Sequence, residues 1–105
     1  MTKNLPVISM FLSLLLLLAP IGAVFAGDPM KGRPLYMDRC SGCHGLNGTS
    51  HVAHIPNFKL GEGLMKPDQE IIAFVKKGRG VMPGFNGILT DAEIRDILAY
   101  VRTFF

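Results

Sequence analysis

The chain has 105 residues, which suits one domain. Its net charge of +3 is too mild to indicate a nucleic-acid partner. The mean hydropathy of +0.32 is inflated by the first residues and says little about the rest.

Those first residues have the layout of a secretory leader. Lys3 supplies a positive charge, and Leu5 to Ala19 is apolar apart from Ser9 and Ser13. Pro20 and Gly22 break the run, and Val24-Phe25-Ala26 offers the residues a signal peptidase reads. The organisation expected is therefore a leader over residues 1–26 and one domain over 27–105. The alternative is an uncleaved anchor, because Leu5 to Ala26 is long enough to span a bilayer. Cleavage leaves about 80 residues, a size at which a core is thin and wants a staple.

The domain is expected to be all-α. Asp28 is a candidate N-cap, with Pro29 at the first helical position of a helix running towards Cys40. Leu35 and Tyr36 are its expected inward residues. Gly32 costs up to about 1 kcal/mol there relative to alanine, so a close neighbour at that spot is the sharper explanation. Gly45 to Lys66 is loop-like, rich in Gly, Asn, Pro and His. A loop that long in a compact domain packs on something. A second helix is expected over Pro67 to Lys77, with Ile71, Ile72 and Val75 as its apolar stripe and Phe74 flanking it. Lys76 and Lys77 suit the C-terminal end of its dipole, and Gly78 stops it. The last helix has the best signal. Thr90 and Glu93 form a capping box, and Ile94, Ile97, Leu98 and Val101 recur at helical spacing. No strand pattern stands out.

Cys40-Ser41-Gly42-Cys43-His44 carries the chemistry. It reads C-x-x-C-H, the pattern of covalent haem attachment. Two thiols three positions apart can each add to a haem vinyl group. The adjacent imidazole can then reach the iron. Cys40 and Cys43 are the only cysteines, so the motif uses the whole thiol inventory. The implied cofactor is one haem c per chain.

A second axial ligand must come from farther along. Met30 and Met37 lie too close to the attachment site, which leaves Met65 and Met82. Met82 sits between two expected helices, beside Pro83 and among glycines that permit close backbone approach to a ring. His51 and His54 are rivals, and bis-histidine ligation would give a lower potential than His/Met. Met82 is the preferred candidate. Three other classes were weighed. Cys40, Cys43, His51 and His54 form a zinc-like set with unusually tight spacing. A thioredoxin-like dithiol would need an alternating strand–helix pattern that is missing. A ligand-binding haem protein would need an open iron.

Together these residues resemble a class I cytochrome c of the small bacterial type, over nearly all of residues 28–105. The resemblance rests on Gly32 and Tyr36, the C-x-x-C-H motif, Ile55-Pro56-Asn57-Phe58, Met82-Pro83, and Leu98-Ala99-Tyr100-Val101. The family's Gly-Pro-Asn-Leu appears here as Ile-Pro-Asn-Phe. The resemblance implies three to four helices wrapped around one haem and a crossing of the first and last helices that brings Gly32 to Tyr100. It also implies that the Pro56 carbonyl accepts from the proximal imidazole. The implied function is a periplasmic one-electron carrier between redox proteins, a monomer that breaks no substrate bond. The alternative function is a ligand-binding haem protein or the haem subunit of a larger complex. Expected pocket residues are Phe58, Leu60, Val75, Phe85, Ile94 and Leu98. Lys76, Lys77 and Arg79 are expected to ring the exposed edge and steer an acidic partner.

Overall fold

The computed structural model describes residues 26–105, so the leader expected over residues 1–26 lies outside the described residues but for Ala26. Helix α1 spans Pro29–Arg39, and α2 is a single turn over Ser41–His44. A 3-10 turn over Phe58–Leu60 interrupts the long loop. Helix α3 spans Asp68–Lys77 and α4 spans Asp91–Val101, which runs on into a second 3-10 turn, Arg102–Phe104. Among the described residues the only β feature is one bridge between Arg79 and Met82.

The helices begin and end where local chemistry dictates. The Asp28 carboxylate accepts from the Met30 N–H at 2.9 Å and caps α1. The capping box of α4 is complete. Thr90 Oγ1 accepts from the Glu93 N–H at 3.1 Å, and Glu93 Oε2 accepts from the Thr90 N–H at 2.8 Å. Helix α3 ends at Gly78, whose φ of 73° is left-handed backbone that favours glycine.

The main contact is between α1 and α4. It is a backbone-to-backbone crossing. A Cβ at Gly32 would collide with the Asp96 carbonyl, so glycine is what lets the helices meet. The expected partner, Tyr100, is therefore corrected to Asp96 and Ile97. Tyr100 lies one turn further along α4 and meets α1 one turn beyond Gly32. There it packs edge-on against Tyr36, with ring centroids 5.5 Å apart. The Asp28 N–H also donates to Asp96 Oδ1 at 2.7 Å, tying the start of α1 to the middle of α4. Tyr36 is fully buried, and its hydroxyl donates to the Gly45 carbonyl at 2.6 Å. Burial pushes that phenol up to about 12.

The core joins Tyr36 to Ile71 and Ile72 of α3 and to Ile94, Ile97, Leu98 and Val101 of α4. Every apolar position expected to face inward from α4 does so. The Gly45–Lys66 loop packs against the C-terminus. Gly48 is the point of contact, because a Cβ there would meet Phe104 and Phe58.

Candidate functional site

The segments that carry the candidate residues are a short turn and a loop set against the helices. Cys40 caps α1, and the tight turn of α2 follows at once, so Cys43 and His44 project one turn beyond Cys40. The His44 N–H donates to the Cys40 carbonyl at 2.9 Å. Ser41 Oγ donates to the Met37 carbonyl at 2.7 Å, and Ser50 Oγ donates to the Cys43 carbonyl at 2.8 Å. These bonds fix the C-x-x-C-H turn between α1 and the loop. Burial pushes the Cys40 thiol up to about 11, with the neighbouring Cys43 sulfur adding to the rise.

Met82 is held by a different device. Arg79 and Met82 exchange two backbone hydrogen bonds, each 3.0 Å, across a turn with Gly80 at φ 59°. The segment is cinched at its base. A Cβ at Gly78 would run into Gly84 N and Met82 O, and one at Gly84 would run into the carbonyls of Lys76 and Lys77. Phe85 and Asn86 then donate to the Val75 and Lys76 carbonyls at 3.1 Å, pinning the exit of the loop onto α3.

Cys40, Cys43, His44 and Met82 all line one cavity of about 610 Å³, large enough for a substantial ligand. Its walls are mostly apolar. Phe58, Val75, Phe85, Ile94 and Leu98 line it as expected. Leu60 does not, and is corrected to a surface residue with 72% exposure. The 3-10 turn sets Phe58 inward and leaves Leu60 two residues later facing solvent.

The rivals for the second ligand separate by position. Met65 is 87% exposed and lies off the cavity. His51 lines a different, shallower hollow beside Ser41, Asn47 and Thr49. His54 does line the cavity, but it is exposed and sits at φ 67°, the only non-glycine described residue in left-handed backbone. Met82 is half-buried and packs on the core.

The His44 imidazole lies flat on Phe58, with ring centroids 4.5 Å apart and planes 13° apart. Its Nδ1 is buried and has no hydrogen-bond partner. The expected bond from that ring to the Pro56 carbonyl is absent, which corrects the second-sphere assignment. Pro56 instead lines the cavity wall. Desolvation lowers the His44 pKa and so favours the neutral ring, the form a metal requires.

The edge cations also need correction. Lys76 Nζ is 2.7 Å from Asp91 Oδ1, so it serves as a tie between α3 and α4. Lys77 and Arg79 have no carboxylate partner among the described residues. Sequence reasoning missed that Arg79 lines the cavity. Its signal was the Gly-Arg-Gly sequence three residues before Met82.

Residues 27–101 match the family described as cytochrome c oxidase, cbb3-type, subunit III. The chain belongs to the cytochrome c family. It is 32% identical over 101 residues to cytochrome c6 of Thermosynechococcus vestitus, covering 94% of this chain and 88% of that protein. It is 31% identical over 78 residues to cytochrome c6 of Synechocystis sp., covering 72% of this chain and 65% of that protein. It is also 34% identical over 77 residues to the cbb3-type cytochrome c oxidase subunit CcoP of Cereibacter sphaeroides. That match covers 69% of this chain and only 26% of CcoP.

The family's cofactor is haem c, covalently attached, and this cavity fits it. The cavity is roomy and apolar, it carries both thiols of the motif, and beside them lies a neutral imidazole with a buried, unpartnered nitrogen. Among the described residues no helix is long and apolar enough to cross a membrane.

Proposed function

We propose that this cytochrome is an exported one-electron carrier. Residues 1–26 direct it to the periplasm and are removed, and the domain 27–105 shuttles electrons between redox proteins. The observation that carries this reading is the meeting of Cys40, Cys43, His44 and Met82 on one apolar cavity. When bound, haem supplies a ferric/ferrous couple. Cys40 and Cys43 hold the ring through thioethers. His44 and Met82 would ligate the iron, and a thioether sulfur favours its ferrous state. The isoleucines and Leu98 exclude water, which penalises the extra charge of the ferric state. Pro83 biases Met82 towards extended backbone, and the Gly78–Gly84 neck holds the turn against α3. Lys77, exposed beside the neck, supports attraction to an acidic partner, which weakens with salt.

The test is a redox titration with visible spectra of the wild type and Met82→Ala. The wild type is expected to show the weak long-wavelength ferric band of thioether ligation. Met82→Ala is expected to lose it and to have a lower midpoint potential. A thioether band that persists in the variant would transfer the ligand role to another methionine, and a wild type without the band would transfer it to His54, the other candidate on the cavity. The likeness to CcoP supports a second reading, the haem subunit of a larger assembly. Native-mass analysis of the protein isolated from its own cells separates the two, since a free carrier runs as a monomer.

A further inference from the structure

All eight carboxylates of the described residues are engaged. Four are in ion pairs, and four accept hydrogen bonds from backbone N–H groups. The cations are not balanced in the same way. Among the described residues, Lys31, Arg33, Lys59, Lys77, Arg79 and Arg95 have no carboxylate partner. Of these six, only Arg79 lines the cavity. Arg39 lines it too, but its Nε is 2.8 Å from Asp38 Oδ2. No carboxylate lines the cavity.

An apolar cavity whose lining includes an exposed arginine without a carboxylate partner, and no acid, is complementary to an apolar ligand that brings its own carboxylate. Haem carries two, on its propionates. A planar guanidinium matches a carboxylate with two parallel N–H···O bonds, which an ammonium cannot do.

We propose that Arg79 pairs with a haem propionate and, through the turn it shares with Met82, positions that ligand. The proposal rests on the haem reading above. The link between the two roles is short. The Arg79 N–H donates to the Met82 carbonyl and the Met82 N–H donates to the Arg79 carbonyl, both at 3.0 Å. Holding the Arg79 side chain therefore holds the backbone from which Met82 projects. Val81, at the tip of the turn, is 91% exposed and anchors nothing itself. Arg79 is a positioning residue, acting through Met82 rather than on the iron.

The experiment uses ferric holoprotein matured with covalent haem, and imidazole as a probe that competes with Met82 for the iron. Arg79→Gln, Arg79→Lys and Lys77→Gln are compared with wild type. Losing a charge-assisted pair raises imidazole affinity about tenfold in Arg79→Gln. Arg79→Lys retains the charge but loses the fork, and falls between Arg79→Gln and wild type. Lys77→Gln removes a neighbouring surface charge off the cavity and leaves imidazole affinity unchanged. The midpoint potential of Arg79→Gln falls below that of Lys77→Gln, because a cation against the ring favours ferrous iron. Equal imidazole affinity in Arg79→Gln and wild type overturns the proposal. So does an equal rise in Arg79→Gln and Lys77→Gln, which would reduce the effect to general surface charge. The parent reading fails separately: a wild type without covalent haem or without the thioether band defeats that reading before any Arg79 variant is compared.

Discussion

The α1–α4 crossing and the Met82 loop both depend on glycines pressed against backbone, yet they do different work. At the crossing, Gly32 lets two regular helices touch, and each helix satisfies its own hydrogen bonds. In the loop, Gly78 and Gly84 close a neck around a segment that makes few bonds of its own. The first contact holds the fold together. The second presents one side chain to the cavity. A protein built this way can keep a firm scaffold while the Met82 segment is adjusted separately.

The largest expected effect comes from the crossing. Gly32→Val should cost about 4 kcal/mol or more, because the added carbons meet the Asp96 carbonyl and neither helix can yield without repacking. Chemical denaturation of the holoprotein measures it, and a loss under about 1 kcal/mol would mean that the helices slide apart easily. Gly78→Ala should cost about 2 kcal/mol, from left-handed backbone and a blocked neck together. Its mark should be loss of the thioether band at denaturant concentrations where helical circular dichroism is intact. Simultaneous loss of both signals would erase the distinction between scaffold and loop. Thr90→Ala should cost about 1 kcal/mol, with no change in the band, since it loosens only the start of α4.

The smallest effect concerns Asp68. A hydrogen bond from Arg102 holds its carboxyl below the usual carboxylate range and ties α3 to the end of α4. Both side chains are partly solvated, so the pair contributes about 0.5 kcal/mol. A depressed carboxyl stabilises fully above its unfolded value near about pH 4 and loses that contribution as pH falls further. Asp68→Asn should therefore be less stable than wild type at pH 7, with the gap closing towards pH 2 and the haem spectrum unaltered throughout.

The helices were legible because their signals are local. Asp28, Thr90 and Glu93 act within three residues of their own positions, and the α4 stripe declares its buried face by spacing alone. The C-x-x-C-H turn was legible for the same reason. What escaped notice depends on how remote elements register against each other. Gly32 was expected to meet a small-residue crossing, but which turn of α4 it meets is set by packing of Tyr36, Tyr100 and Phe104. The Lys76–Asp91 pair joins two helices whose relative rotation no pattern encodes. Leu60 faces outward because a 3-10 turn replaced the irregular chain expected there. His54 in left-handed backbone and the free Pro56 carbonyl follow from loop geometry that composition does not specify. Arg79 was assigned to the outer rim because its charge was visible and its position against the cavity was not.

The bond from Asp28 to Asp96 joins groups 68 positions apart in sequence. Such a closure is unavailable while the polypeptide is still being made, because its second half emerges from the ribosome last. Until then Gly32 has nothing to lie against, and the cysteine turn that follows α1 has no scaffold behind it. The compact arrangement therefore waits on synthesis of α4, whichever order the other contacts form in.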